Sequence, residues 1–207
     1  MPVSSSIDKG EGFIRSHELL QELRADIDAA YAALEVARQS QYLRRCVVRA
    51  VFSYVEAIIE CVKVELRSTV RSGVFSGTLT EKETETLGSL HVIGASANSK
   101  FLPLDSNVKR TFRLAAKIWN LKGFHLTTDG QDFQDFLAAK SARNRLTHPR
   151  TFYDIEVNDF DMHSHTTTGM WMQHEFKRLG VARIRALSEG LPEGSRESFL
   201  KEFAADA

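Results

Sequence analysis

Residues 41–72 read QYLRRCVVRAVFSYVEAIIECVKVELRSTVRS, and their periodicity decides the fold. Leu43, Val47, Val51, Val55, Ile58, Val62, Leu66 and Val70 recur at steps of three and four, flanked by Val48, Phe52 and Ile59. That is the step of an α-helix, and an apolar surface this broad suits the central helix of a bundle, covered on several sides. Gly73 supplies the stop.

Working outward, residues 18–38 (ELLQELRADIDAAYAALEVAR) place Leu19, Leu20, Leu23, Ile27, Ala30, Tyr31, Leu34 and Ala37 on one helical face. Ser16 is the expected N-cap, with Glu18 in the first turn. The polar stretch before it, without periodicity, reads as a flexible N-terminal arm over 1–15. After the long helix GVFSGTL is a turn, and residues 80–92 predict a short helix opened by a Thr80–Glu83 capping box. GASANSKFLPLDSN reads as a loop. A helix is expected from about Ser106 to Leu121, and DGQDFQDFLAAKSARNRLTH from an Asp129 cap to a stop at Pro149. TFYDIEV, with its β-formers, reads as a brief extended stretch. A last helix carries Met170, Trp171, Phe176, Leu179, Val181, Ile184 and Leu187. The expectation is an all-α, up-and-down bundle of about five to six helices in a single domain, 16–189, with a C-terminal tail over 190–207.

The chain has 207 residues, 43% of them hydrophobic, and four prolines, enough for a real core. Formal net charge is zero, which excludes a uniformly basic polyanion-binding protein, so any nucleic-acid contact must come from a local face. Cys46 and Cys61 sit on one helix roughly 22 Å apart along its axis and cannot pair with each other. No stretch resembles a signal peptide or a membrane span, so the expected location is cytoplasmic, with no membrane partner.

The densest chemistry is RNRLTHPR, residues 143–150. Asn144 and His148, four apart, share a helix face, whereas Arg143 and His148 are turned by about 140°. Pro149 disfavours helical backbone at His148, which lets the ring leave the helix and swing towards Arg143. A guanidinium and an imidazole could then converge, with Asn144 bonding the ring or a phosphate. The plain alternative is a basic helix end, where cations complement the macrodipole and proline is a common stop.

RNRLTHPR resembles the hallmark of the HEPN superfamily (higher eukaryotes and prokaryotes nucleotide-binding domains). Its ribonucleases carry Arg, four to six residues, then His, often with Asn directly after the Arg. Arg143, Asn144 and His148 match that pattern. FSYVEAIIE, a long earlier helix with acidic Glu56 among apolar residues, fits as well, over roughly Ser16 to Leu187. The tyrosine that some regulated members carry two places after the histidine is replaced by Arg150. The resemblance implies metal-independent endoribonuclease activity, with Arg143, His148 and Asn144 catalytic and Glu56 or Ser53 supporting them. It also implies a homodimer in which two motifs face one cleft, and a toxin or phage-defence role with a possible antitoxin or other protein partner.

Read from residue type alone, Glu56 and Ser53 belong to a polar stripe (Arg49, Ser53, Glu56, Glu60, Lys63, Arg67) that a solvated helix face also explains. Lys109, Arg110, Arg113, Lys117 and Lys122 before the motif helix, and Lys140, Arg143, Arg145 and Arg150 at its end, make a local cationic surface. Of these Lys109, Arg110, Arg113, Lys140, Arg145 and Arg150 are the expected RNA contacts. DMHSHTTT raises a competing metal site through His163, His165 and Asp161 or Asp159, but the run reads as a polar loop lacking a further ligand. No metal or cofactor is expected. His17, His91, His125 and His174 are isolated. The rival to the enzyme is a non-catalytic HEPN-like module that binds a nucleotide, an RNA or a protein partner.

Overall fold

Ser40 opens the helix that organises the chain. Its hydroxyl accepts from the Leu43 N–H at 3.3 Å, and α2 runs Gln41–Arg71 from that cap to Gly73, whose φ of 73° is free of Cβ strain. The computed structural model describes residues 4–88 and 102–197, with side chains from residue 16 onward. Within them lie α1 (Ser4–Val36), α2, α3 (Glu81–Gly88), α4 (Leu104–Ile118), α5 (Gln131–Thr147), a 3-10 turn (Phe152–Ile155) and α6 (Asp159–Glu189). The chain is an all-α, single-domain helical bundle, with no strand among the described residues.

The apolar period of α2 is buried: Val47, Val48, Val51, Phe52, Val55, Ile58, Ile59, Val62 and Leu66 are all shielded. This helix packs against α1, α3, α4, α5 and α6, as its wide apolar surface requires. Truncating a fully buried member such as Ile58 to alanine removes about 2–5 kcal/mol.

Contacts fix the helix directions. Residues 16 and 61 meet through Cys61 Sγ and the Ser16 carbonyl, so α1 and α2 are an antiparallel hairpin. Arg24 reaches Gln173 and Tyr31 reaches Thr166, so α6 opposes α1 and runs with α2. Arg145 pairs with Asp161 while Phe133 and Phe136 pack on Trp171, making α5 and α6 antiparallel. Lys140 pairs with Asp105 and Lys109 lies over Phe133, making α4 and α5 antiparallel too. It follows that α2 and α4 run the same way, and α3, whose start meets Lys117 through Glu83 and whose Leu87 carbonyl accepts from Arg67, runs back between them, in keeping with the expected bundle.

Other expectations shift locally. The first helix is already formed at Ser4, so Ser16 is an interior residue and not a cap. No proline lies between, and Gly10 and Gly12 cost only about 1 kcal/mol each in a helix. The Thr80–Glu83 capping box forms, with the Thr80 N–H donating to Glu83 Oε2 at 2.8 Å. The last part of the expected 80–92 helix and most of the expected loop after it, with His91, lie outside the described residues. α4 starts at Leu104 and stops at Ile118, and α5 is capped by Gly130 instead of Asp129. TFYDIEV forms the 3-10 turn, because Asp154 binds the backbone N–H groups of Arg150 and Thr151 and curls the chain. Leu19, placed on the apolar face of the first helix, is exposed.

DMHSHTTT is helix, not loop. An Asn158–Asp161 capping box starts α6, and the polar side chains that look loop-like are absorbed by the helix itself. Thr168 Oγ1 donates to the Ser164 carbonyl and Thr166 Oγ1 to that of Met162.

Candidate functional site

α5 places Phe133, Phe136, Ala139 and Ala142 in the core. Arg143, one position past Ala142, therefore emerges at the edge of the buried face, towards α2. There its Nη2 donates to Glu56 Oε1 at 2.7 Å, and its Nη1 donates to Asn144 Oδ1 at 3.2 Å. Of the five N–H donors on a guanidinium these two bonds use only part, so the fork retains donors for a ligand. Thr147 Oγ1 donates to the Arg143 carbonyl at 2.8 Å and tightens the last turn.

Between α2 and α5 lies an open cleft of about 360 Å³, lined by Val48, Arg49, Phe52, Ser53, Glu56, Arg143, Leu146 and Thr147. The structure thus brings Arg143, Glu56 and Ser53 together. Asn144 joins through its side-chain bond to Arg143 and makes no bond to the His148 ring. Arg49 and Thr147 are cleft residues that sequence reasoning did not assign. The signal for Arg49 was its place one turn before Ser53 on the polar stripe.

His148 is the C-cap of α5, with φ −129° and ψ 60°, and its backbone N–H still donates to the Asn144 carbonyl at 3.0 Å. Pro149 explains the break from helical backbone. The side chain is exposed, has no hydrogen-bond partner among the described residues, and is not part of the cleft lining. Within one copy of the chain, the imidazole and the guanidinium do not converge on the cleft.

The basic cluster is less available than its sequence implies, because acids arrive from other elements. Arg145 Nη2 donates to Asp161 Oδ2 at 2.9 Å while Nη1 binds the carbonyls of Tyr153, Asp154 and Glu156, the last at 2.7 Å. Arg145, expected among the RNA contacts, therefore ties α5 to the 3-10 turn and α6. Lys140 is likewise held by Asp105 at 2.6 Å, and that ammonium, through its hydrogen bond, keeps the Asp105 carboxyl below the usual range. Lys109 sits 4.6 Å from the centroid of the Phe133 ring. Lys117 is paired with Glu83. Arg110, Arg113 and Arg150 have no ion-pair partner among the described residues. Asp154 is held below the carboxylate range by the N–H groups of Arg150 and then Thr151.

The rival histidine pair separates. His163 is exposed, whereas His165, two positions on, is buried edge-on against Phe52. Its Nδ1–H donates to the Asp161 carbonyl, which leaves Nε2 as a buried acceptor with no partner among the described residues. Burial pushes the His165 pKa down, so the ring is neutral. Among the described residues no group of three His, Cys, Asp or Glu side chains is placed to hold a metal ion. Nor is any described helix long and apolar enough to cross a membrane.

No protein-family model, curated protein or solved structure significantly matches this chain.

Proposed function

We propose that the chain is a HEPN-type, metal-independent endoribonuclease, a toxin or phage-defence effector that works as a homodimer. The observation that carries this reading is the Glu56–Arg143 pair: a guanidinium fixed by a carboxylate in an open cleft, five positions before an exposed histidine. In this reading Arg143 and Arg49 meet the phosphate charge. The ribose 2'-OH loses its proton to one imidazole and attacks phosphorus, and the 5'-oxygen leaves with a proton from a second. The products are a 2',3'-cyclic phosphate and a 5'-hydroxyl. Because His148 lies outside the cleft of its own chain, two copies face one shared cleft in this reading, and each supplies one imidazole.

A second reading is supported by the ion pairs. With Lys140 and Arg145 committed to Asp105 and Asp161, the motif end of α5 is partly structural. This favours a non-catalytic module that binds a nucleotide, RNA or protein partner.

The deciding experiment incubates purified protein with a defined RNA in EDTA, beside His148→Ala and Arg143→Lys. The expected result is 2',3'-cyclic phosphate ends from the wild type and loss of about 10²- to 10⁴-fold in His148→Ala. Arg143→Lys is also impaired, since lysine keeps charge without the planar fork. Cleavage that requires added manganese, or that His148→Ala retains, removes the enzyme reading. A monomer by light scattering with full activity removes the dimer.

A further inference from the structure

The cationic surface most open to a ligand is not at the motif. On α6, His174, Lys177, Arg178, Val181, Ala182 and Arg185 fall at helical spacing on one face. They line a cleft of about 540 Å³ together with Lys122, Gly123 and Phe124 from the turn after α4. A chain of zero net charge thus gathers five basic side chains around one concavity that, among the described residues, no carboxylate lines.

Part of this surface is built rigidly. Glu175, only 1% exposed, accepts from Arg178 Nη1 through both oxygens, at 2.6 and 2.7 Å, and from the Thr127 N–H at 3.3 Å. Arg178 Nη1 also reaches Thr127 Oγ1 at 2.7 Å, and its guanidinium carbon lies 5.5 Å from the Phe124 ring centroid. That network pins the 119–130 connection to α6 and neutralises Arg178, while Glu175 points inward. The positive field of the cleft then comes chiefly from Lys122 and Arg185. Lys122 and Arg185 are exposed and make no ion pair among the described residues, and Glu189, the next acid along α6, lies outside the cleft.

We infer that this cleft binds the phosphodiester backbone of single-stranded RNA, as a contact surface separate from the Arg143 cleft. Concentrated lysine and arginine in a concave surface, beside an aromatic ring, match a backbone-tracking groove. Asp161, tied to Arg145, marks the motif end of α6, and His174 to Arg185 lie about 20 to 36 Å further along the helix. At about 3.4 Å per stacked nucleotide, roughly six or more nucleotides separate the two surfaces. RNA as the ligand rests on the proposed function, but the surface can be tested without cleavage.

The probe is a fluorescent 20-nucleotide 2'-O-methyl oligouridine, which has no free 2'-OH to attack, titrated at several salt concentrations. Its binding is compared between wild type, Lys122→Gln/Arg185→Gln and Arg185→Glu. Two lost cations lower the salt slope by about 1.4, at about 0.7 per charge on a single strand. Arg185→Glu, which alters one exposed side chain, weakens binding even if the double variant fails to fold. With cleavable RNA, KM rises in both variants while kcat is kept. The inference is overturned if wild type does not bind the probe, if slope and affinity are unchanged in the folded variants, or if polyglutamate competes as well as RNA. Absence of cleavage in wild type, with the slope change intact, removes the nuclease reading and leaves this surface standing.

Discussion

Arg143 on α5 and Glu56 on α2, 87 positions apart in sequence, are joined by a 2.7 Å bond at the wall of an open cleft. Their side chains are 28% and 44% exposed, so solvent screens the pair and its contribution to stability is small, below about 1 kcal/mol. Its consequence is orientation. Glu56→Gln is expected to shift the urea unfolding free energy by less than about 1 kcal/mol while reducing RNA turnover at least tenfold. A large loss of stability with turnover unchanged would make the pair a structural tie only.

Asn144 and His148 are expected to separate in a cleavage assay. Asn144 accepts one bond from Arg143, while His148 carries the only imidazole of the motif. Asn144→Ala therefore lowers turnover by less than His148→Ala does, with both variants folded by circular dichroism. Equal abolition contradicts that division of roles.

Arg145 and Arg150 look alike in RNRLTHPR and are expected to behave oppositely. Removing Arg145 leaves the 11%-exposed Asp161 carboxylate with only the Asn158 N–H and frees the carbonyls of the 3-10 turn, so Arg145→Ala costs on the order of 1–3 kcal/mol. Arg150→Ala, which removes an exposed side chain, stays within about 0.5 kcal/mol. Urea titration of the two variants decides the matter.

His165 sets a pH dependence. Burial lowers its folded pKa, so on acidification the unfolded chain takes up the proton first, near pH 6.5. The stability it contributes is full above that value and is lost as pH falls towards the folded pKa. The slope is at most about 1.4 kcal/mol per pH unit. The carboxyls held low by their partners, Glu83, Asp105 and Asp154, act in the same direction but at lower pH. Unfolding free energies measured between pH 6.5 and 5.5 should fall less steeply in His165→Leu. Parallel slopes would show that the ring is not responsible.

Much of the fold is legible because α2 declares itself: a three-and-four step of Val, Ile and Leu over 31 residues has no other reading. Gly73 and Pro149 punctuate as expected. DMHSHTTT misleads because its threonines donate to carbonyls of their own helix, so polar residues become buried without a loop. The 3-10 turn hides behind β-formers, since Asp154 and not propensity bends it. At the site, residue types and spacing are local and readable. Which acid meets which base is decided by tertiary packing, so the apparently acid-free run from Lys140 to Arg150 finds Asp105, Glu56 and Asp161 only in three dimensions. The cationic face of α6 is legible too, from Lys177, Arg178 and Arg185, but apolar residues between them obscure its period.

Among the described residues, every side chain lining the Glu56 cleft comes from α2 or α5. From residue 16 onward α1 contributes none, and of those side chains only Ile27 is buried. Native-state opening should therefore begin at α1 and leave the cleft standing, since segments with few buried contacts exchange and are clipped first. A protease that trims the leading turns of α1 shortens the chain without touching Arg143 or Glu56. The pair is instead expected to share the lifetime of α2, whose buried face should make it the last helix to let go of its amide protons.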